Sequence, residues 1–107
     1  MGREGVAAIL RESDVAFAYK RWEPETPPPL PYALYRYVGN DGTLRADNVN
    51  YFPVSNWAIE LYSAAKEDAL ELSIEDALTA HGCAFAKHES AGEEGSPSVT
   101  YLFSTVG

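Results

Sequence analysis

Hydrophobic residues in this chain recur with two periods, and each change of period marks the start of a new element. VAAILRE (6–12) sets Val6, Ile9 and Leu10 at helical spacing and predicts a short first helix. Ser13 and Asp14 break it. VAFAYKRW (15–22) then has the β-branched and aromatic content of a strand, with Val15, Phe17 and Tyr19 on one face and Ala16, Ala18 and Lys20 on the other. The alternative is a helix continued through Ala16 and Ala18. Residues 23–31 hold five prolines. Proline has no amide donor for a ladder or helix interior, so this run predicts a stiff, extended connection.

YALYRYV (32–38) reads as the next strand, and Gly39-Asn40-Asp41-Gly42 has the composition of a turn. Residues 49–54 suggest a short additional strand interrupted at Pro53. The clearest strand is 56–62, where Trp57, Ile59 and Leu61 alternate with Ala58, Glu60 and Tyr62, as in a sheet with one buried face. Ser63 is the expected N-cap of the clearest helix, 66–81. There Leu70, Ile74, Ala77, Leu78 and His81 form one stripe, and Glu67, Asp68 and Glu71 suit the positive end of the helix dipole. Gly82 sits where a left-handed cap belongs. Residues 83–88 predict a strand, 89–97 an acidic flexible loop and 98–106 a closing strand. The order α-β-β-(β)-β-α-β-β implies an α+β domain: a mostly antiparallel sheet of four to six strands, one long helix on a face and a short N-terminal helix.

Length changes little in that picture. At 107 residues the chain is one domain, and with 46% hydrophobic residues, seven Tyr, four Phe and two Trp it has the material for a core. No apolar run approaches eighteen residues, so no membrane-spanning helix is expected. MGREGVAAIL has too short an apolar stretch for a secretory signal, which makes the cytoplasm the expected site of synthesis. Sixteen acidic against eight basic residues give a net charge of −8. The bases are scattered, with only Lys20 and Arg21 adjacent, which argues against sequence-specific nucleic-acid binding. A basic protein partner fits that charge better.

Reactive chemistry is sparse. Cys83 is the single cysteine, so no disulfide forms within the chain. His81, Cys83 and His88 are conceivable metal ligands. However, Cys83 and His88 fall on opposite faces of one strand by parity, and a structural zinc site needs a fourth ligand. Cys83 reads as a small core residue, and neither histidine gives it the setting of an activated nucleophile. No nucleophile elbow, phosphate loop or H-E-x-x-H pattern occurs. Acidic pairs such as Glu67 with Glu71, or Glu75 with Asp76, are expected on a solvated helix face. The expectation is a non-enzyme with no metal and no cofactor.

Tyr32, Tyr35, Tyr37, Tyr51 and Tyr62 crowd the middle strands. They are either an aromatic contact surface or cross-strand pairs that stabilise the sheet. Together with the loops, where binding residues collect, they define the expected contact residues: Tyr35, Tyr37, Asp41, Arg45, Asp47, Tyr62, Glu93 and Glu94.

PYALY (31–35), RADNVNYFPVSNWAIELYS (45–63), LTAHG (78–82) and FAKHES (85–90), reached through a proline-rich approach, occur here in that order. In this the chain resembles the small tail-completion, or tail-terminator, proteins of long-tailed bacteriophages and prophages, over about residues 15–103. Residues 91–97 depart from that pattern, being richer in Gly and acid. The resemblance implies a structural, head–tail joining protein. It would form a ring, commonly hexameric, that caps the tail tube, with itself, tail-tube and neck proteins as partners. Its places would be the host bacterial cytoplasm during assembly and the virion tail or neck afterwards. The alternative is a small acidic binding module, immunity- or antitoxin-like, that masks a basic partner.

Overall fold

The computed structural model describes residues 3–21, 29–43, 53–63, 68–90 and 97–106, with the backbone alone at 40–43, 53 and 106. Helix α1 (Arg3–Glu12) leads into β1 (Ala16–Tyr19), β2 (Tyr32–Thr43) and β3 (Pro53–Tyr62); α2 (Asp68–Ala80), β4 (Phe85–Glu89) and β5 (Val99–Val106) follow. The strands form one sheet in the order β1-β2-β3-β5-β4. β1 runs parallel to β2, and every other pairing is antiparallel. The domain is therefore α+β with a mostly antiparallel five-stranded sheet, as the pattern predicts.

The helices depart from expectation. Among the described residues the two are close in length, α2 with 13 residues and α1 with 10. Val6, Ile9 and Leu10 of α1 are as completely buried as Ile74 and Leu78 of α2, so both helices cover the sheet. Each such side chain contributes about 1.5–3 kcal/mol on leaving water. Helix α1 stops where Ser13 turns its hydroxyl back to the Ile9 carbonyl (2.9 Å) and Asp14 takes a φ of +57°, a conformation aspartate tolerates. Helix α2 ends in a Schellman motif. The Cys83 amide donates to the Leu78 carbonyl (2.9 Å) and the Gly82 amide to that of Thr79 (3.0 Å), with Gly82 at φ +75°.

Two local expectations are corrected. Gly39-Asn40-Asp41-Gly42 is not a turn: β2 continues through it to Thr43, and its register against β3 shifts between Tyr37 and Gly39 and again between Asn40 and Thr43. Gly and Asn ease such bulges, so turn composition serves a strand here. Pro53 and Val54 open β3 and are not a separate strand, while 49–52 lie outside the described residues. The expected cap of α2 at Ser63 involves residues 64–67, which lie outside the described residues; the Ser63 hydroxyl itself donates to Ser98 Oγ (3.0 Å) at the entry to β5. Most of the proline run (22–28) and the loop at 91–96 also fall outside the described residues.

Strand parity gives the sheet two faces. In register, Tyr35, Ile59, Tyr101 and Lys87 form one row beneath the helices, and Tyr37, Trp57, Phe103 and Phe85 form the next. Aromatic edges knit this layer: Tyr19 meets Tyr35 at 5.1 Å, Tyr37 meets Trp57 at 5.4 Å, and Phe85 meets Tyr101 at 5.5 Å. The opposite face carries no helix among the described residues.

Candidate functional site

The uncovered face is built from alternate residues of all five strands. Leu34, Glu60, Thr100 and His88 stand in one cross-strand row, and Arg36, Ala58, Leu102 and Ala86 in the next. Tyr32 stacks on Tyr62 across β2 and β3, with ring centroids 5.1 Å apart. Ala16 and Ala18 extend the face onto β1. A sheet face left to water ordinarily alternates to polar and charged side chains. Among the described side chains this one holds only two full charges, Arg36 and Glu60, which pair with each other at 3.8 Å.

Val38 and Leu102 are large apolar residues left 48% and 38% exposed on it. Between them lies an open groove of about 600 Å³, with Asn56, Ser104 and Ala84 on its walls. Ser104 donates to the Asn56 side-chain carbonyl at 2.5 Å, so these two polar groups satisfy each other on the groove floor. Ala58, between Arg36 and Leu102 in register, is fully buried although no helix covers this face among the described residues. Among the described side chains the surface is grooved, nearly uncharged and apolar at its centre.

The ionisable groups gather on the other face. Lys87 projects from β4 beneath α2 and donates to Glu71 Oε1 (2.9 Å) and Glu75 Oε2 (2.8 Å). Tyr101 also donates to Glu75, at 2.9 Å. Glu71 is only 3% exposed, which corrects its placement on a solvated helix face. Its helical position reads as outward, but β4 brings a lysine beneath it. The hydrogen bond from Lys87 holds the Glu75 carboxyl below its ordinary range against the opposing effect of burial. The same bonds to Glu75 and Glu71 push the Lys87 ammonium up, so it stays charged. Burial, then Glu75, keeps the Tyr101 phenol neutral.

Histidine and cysteine are placed apart. His81 donates through Nε2 to Glu12 (2.7 Å), clasping the ends of α2 and α1. Cys83 packs in the core, where burial pushes its thiol up and away from the reactive thiolate. His88 is exposed on the uncovered face. Among the described residues no three His, Cys, Asp or Glu side chains gather as metal ligands would. No helix among them is long and apolar enough to cross a membrane.

The expected contact residues divide. Tyr35 is buried (6% exposed) among Phe17, Tyr19 and the core, so it is withdrawn from the contact set. Tyr37 is 41% exposed, resting against the edge of Trp57 on the helix side. Tyr62 lies half-buried on the uncovered face, and burial followed by Glu60 raises its phenol. Asp41 belongs to β2 by its backbone; Arg45, Asp47, Glu93 and Glu94 lie outside the described residues. Sequence reasoning passed over Val38 and Leu102. The signal for Leu102 was available: within Val99–Val106 it falls on the parity of Thr100 and Ser104, opposite the core positions.

In comparisons with known proteins, no family model, curated sequence or solved structure matches this chain.

Proposed function

We propose that this chain is a non-catalytic structural protein of a long-tailed bacteriophage or prophage, which completes the tail tube and helps join tail to head as part of a ring. The resemblance of its sequence segments suggests the role, and one structural observation supports it most: a sheet face that is nearly free of charge and carries exposed Val38 and Leu102, in a chain of net charge −8. Surfaces of that composition are used to contact other proteins. Tail-tube and neck proteins are the proposed partners, met in the host cytoplasm and retained in the virion neck. The acidic remainder of the surface then turns away DNA passing through the assembled ring.

The alternative, a small acidic binding module that masks a basic partner, draws its support from the net charge of −8. Deleting the coding sequence from the genome that carries it, followed by electron microscopy of released particles, tests the proposal. Separate heads and tails, or tails of irregular length, are expected; normal joined particles would contradict it.

A further inference from the structure

We infer that the uncovered sheet face binds a second copy of this chain in the free protein, face to face about a two-fold axis. This deepens the reading of that face as a contact surface and rests on it.

Charge selects the occupant. Two chains of net charge −8 repel each other almost everywhere, and the repulsion is least where the surface is neutral. The described side chains of the uncovered face sum to zero, with Arg36 beside Ala58 on the neighbouring strand and Glu60 two residues along Ala58's own strand. A two-fold rotation near Ala58 sets Arg36 of one copy towards Glu60 of the other. The patch is thus its own electrostatic complement, as an isologous interface requires. A basic partner finds no acidic field there, and an acidic one no basic field. The shape fits as well: small residues (Ala58, Ala86, Ser104) let the backbones approach, while Leu102 and Val38 can enter the groove of the facing copy.

A two-fold pair has no polarity, whereas a ring capping one end of a tube has two different sides. The pair is accordingly the resting form of the free protein, hiding the apolar face until tail assembly takes it over.

Sedimentation equilibrium on the purified full chain tests this. The wild type is expected at twice the chain mass. Raising the salt from about 0.01 M to 0.15 M should tighten the pair, because the screening length falls from roughly 30 Å to 8 Å and the −8 charges repel less. Leu102→Glu, made at an exposed position and checked for folding by circular dichroism, is expected to weaken pairing by at least about 100-fold. Arg36→Glu alone should dissociate the pair, and adding Glu60→Arg should restore it. A wild type that stays monomeric at high concentration overturns the inference and gives the face to another protein. An oligomer unmoved by Leu102→Glu overturns it too, by placing the contact elsewhere. Neither result bears on the deletion phenotype, so the two proposals fail separately.

Discussion

Lys87 matters more to this fold than its position in the middle of a five-residue edge strand suggests. Glu71 is buried and accepts from Lys87 at 2.9 Å, so Lys87→Met takes a charged partner from an interior carboxylate. The expected loss is about 3 kcal/mol in a denaturant titration, and Lys87→Met with Glu71→Leu should recover most of it, since an apolar pair removes the desolvation penalty as well. The pH dependence has a definite sign. Glu75 binds its proton more weakly folded than unfolded, so its contribution is present above the ordinary value of 4.5 and is lost as pH falls through the depressed folded value. Lys87 runs the other way: its contribution is complete below 10.5 and fades only in strong alkali. Unfolding midpoints should therefore be level from pH 6 to 9 and fall towards pH 3, with a shallower fall in Glu75→Gln. A second buried polar pair gives an independent test. The Trp57 indole N–H donates to Thr105 Oγ1 at 3.0 Å, and both residues are about 5% exposed. Thr105→Val leaves that donor unmatched and should cost roughly 1–3 kcal/mol.

Elements were legible in the sequence wherever one period governed them. β3 was read correctly because Trp57, Ile59 and Leu61 all face the core, and the end of α2 because only glycine sits easily at φ +75°. Nothing lies within 4 Å of a methyl added at Gly82, so Gly82→Ala should cost about 1 kcal/mol through backbone strain alone, read as a lowered thermal midpoint. The failures have physical causes. Gly39-Asn40-Asp41-Gly42 has turn composition, yet two bulges let the same residues remain in β2. Glu71 looks solvated because helical periodicity says nothing of a lysine arriving from β4. Tyr35 was offered as a contact residue because composition alone cannot tell which tyrosines the helices cover. The uncovered face stayed hidden for a related reason: it is assembled from single residues on alternate positions of separate strands, and no contiguous segment spells it.

At the scale of the whole molecule, the sheet separates two kinds of surface. One side is sealed by α1 and α2 and fixed internally by Lys87, Tyr101 and two carboxylates. The other is grooved and, among the described side chains, neutral, with Leu102 and Val38 still in contact with water. The proposed role would use such a division, because a contact face must stay uncovered while the core beneath it is held in place. Changing Leu102 should leave the fold intact and abolish assembly, whereas changing Lys87 should do the reverse until stability fails. The most direct measurement is electron microscopy of particles from a genome carrying Leu102→Glu, alongside circular dichroism of the purified variant. A folded variant with heads and tails left unjoined is the predicted result; a folded variant with normal joined particles would contradict the account.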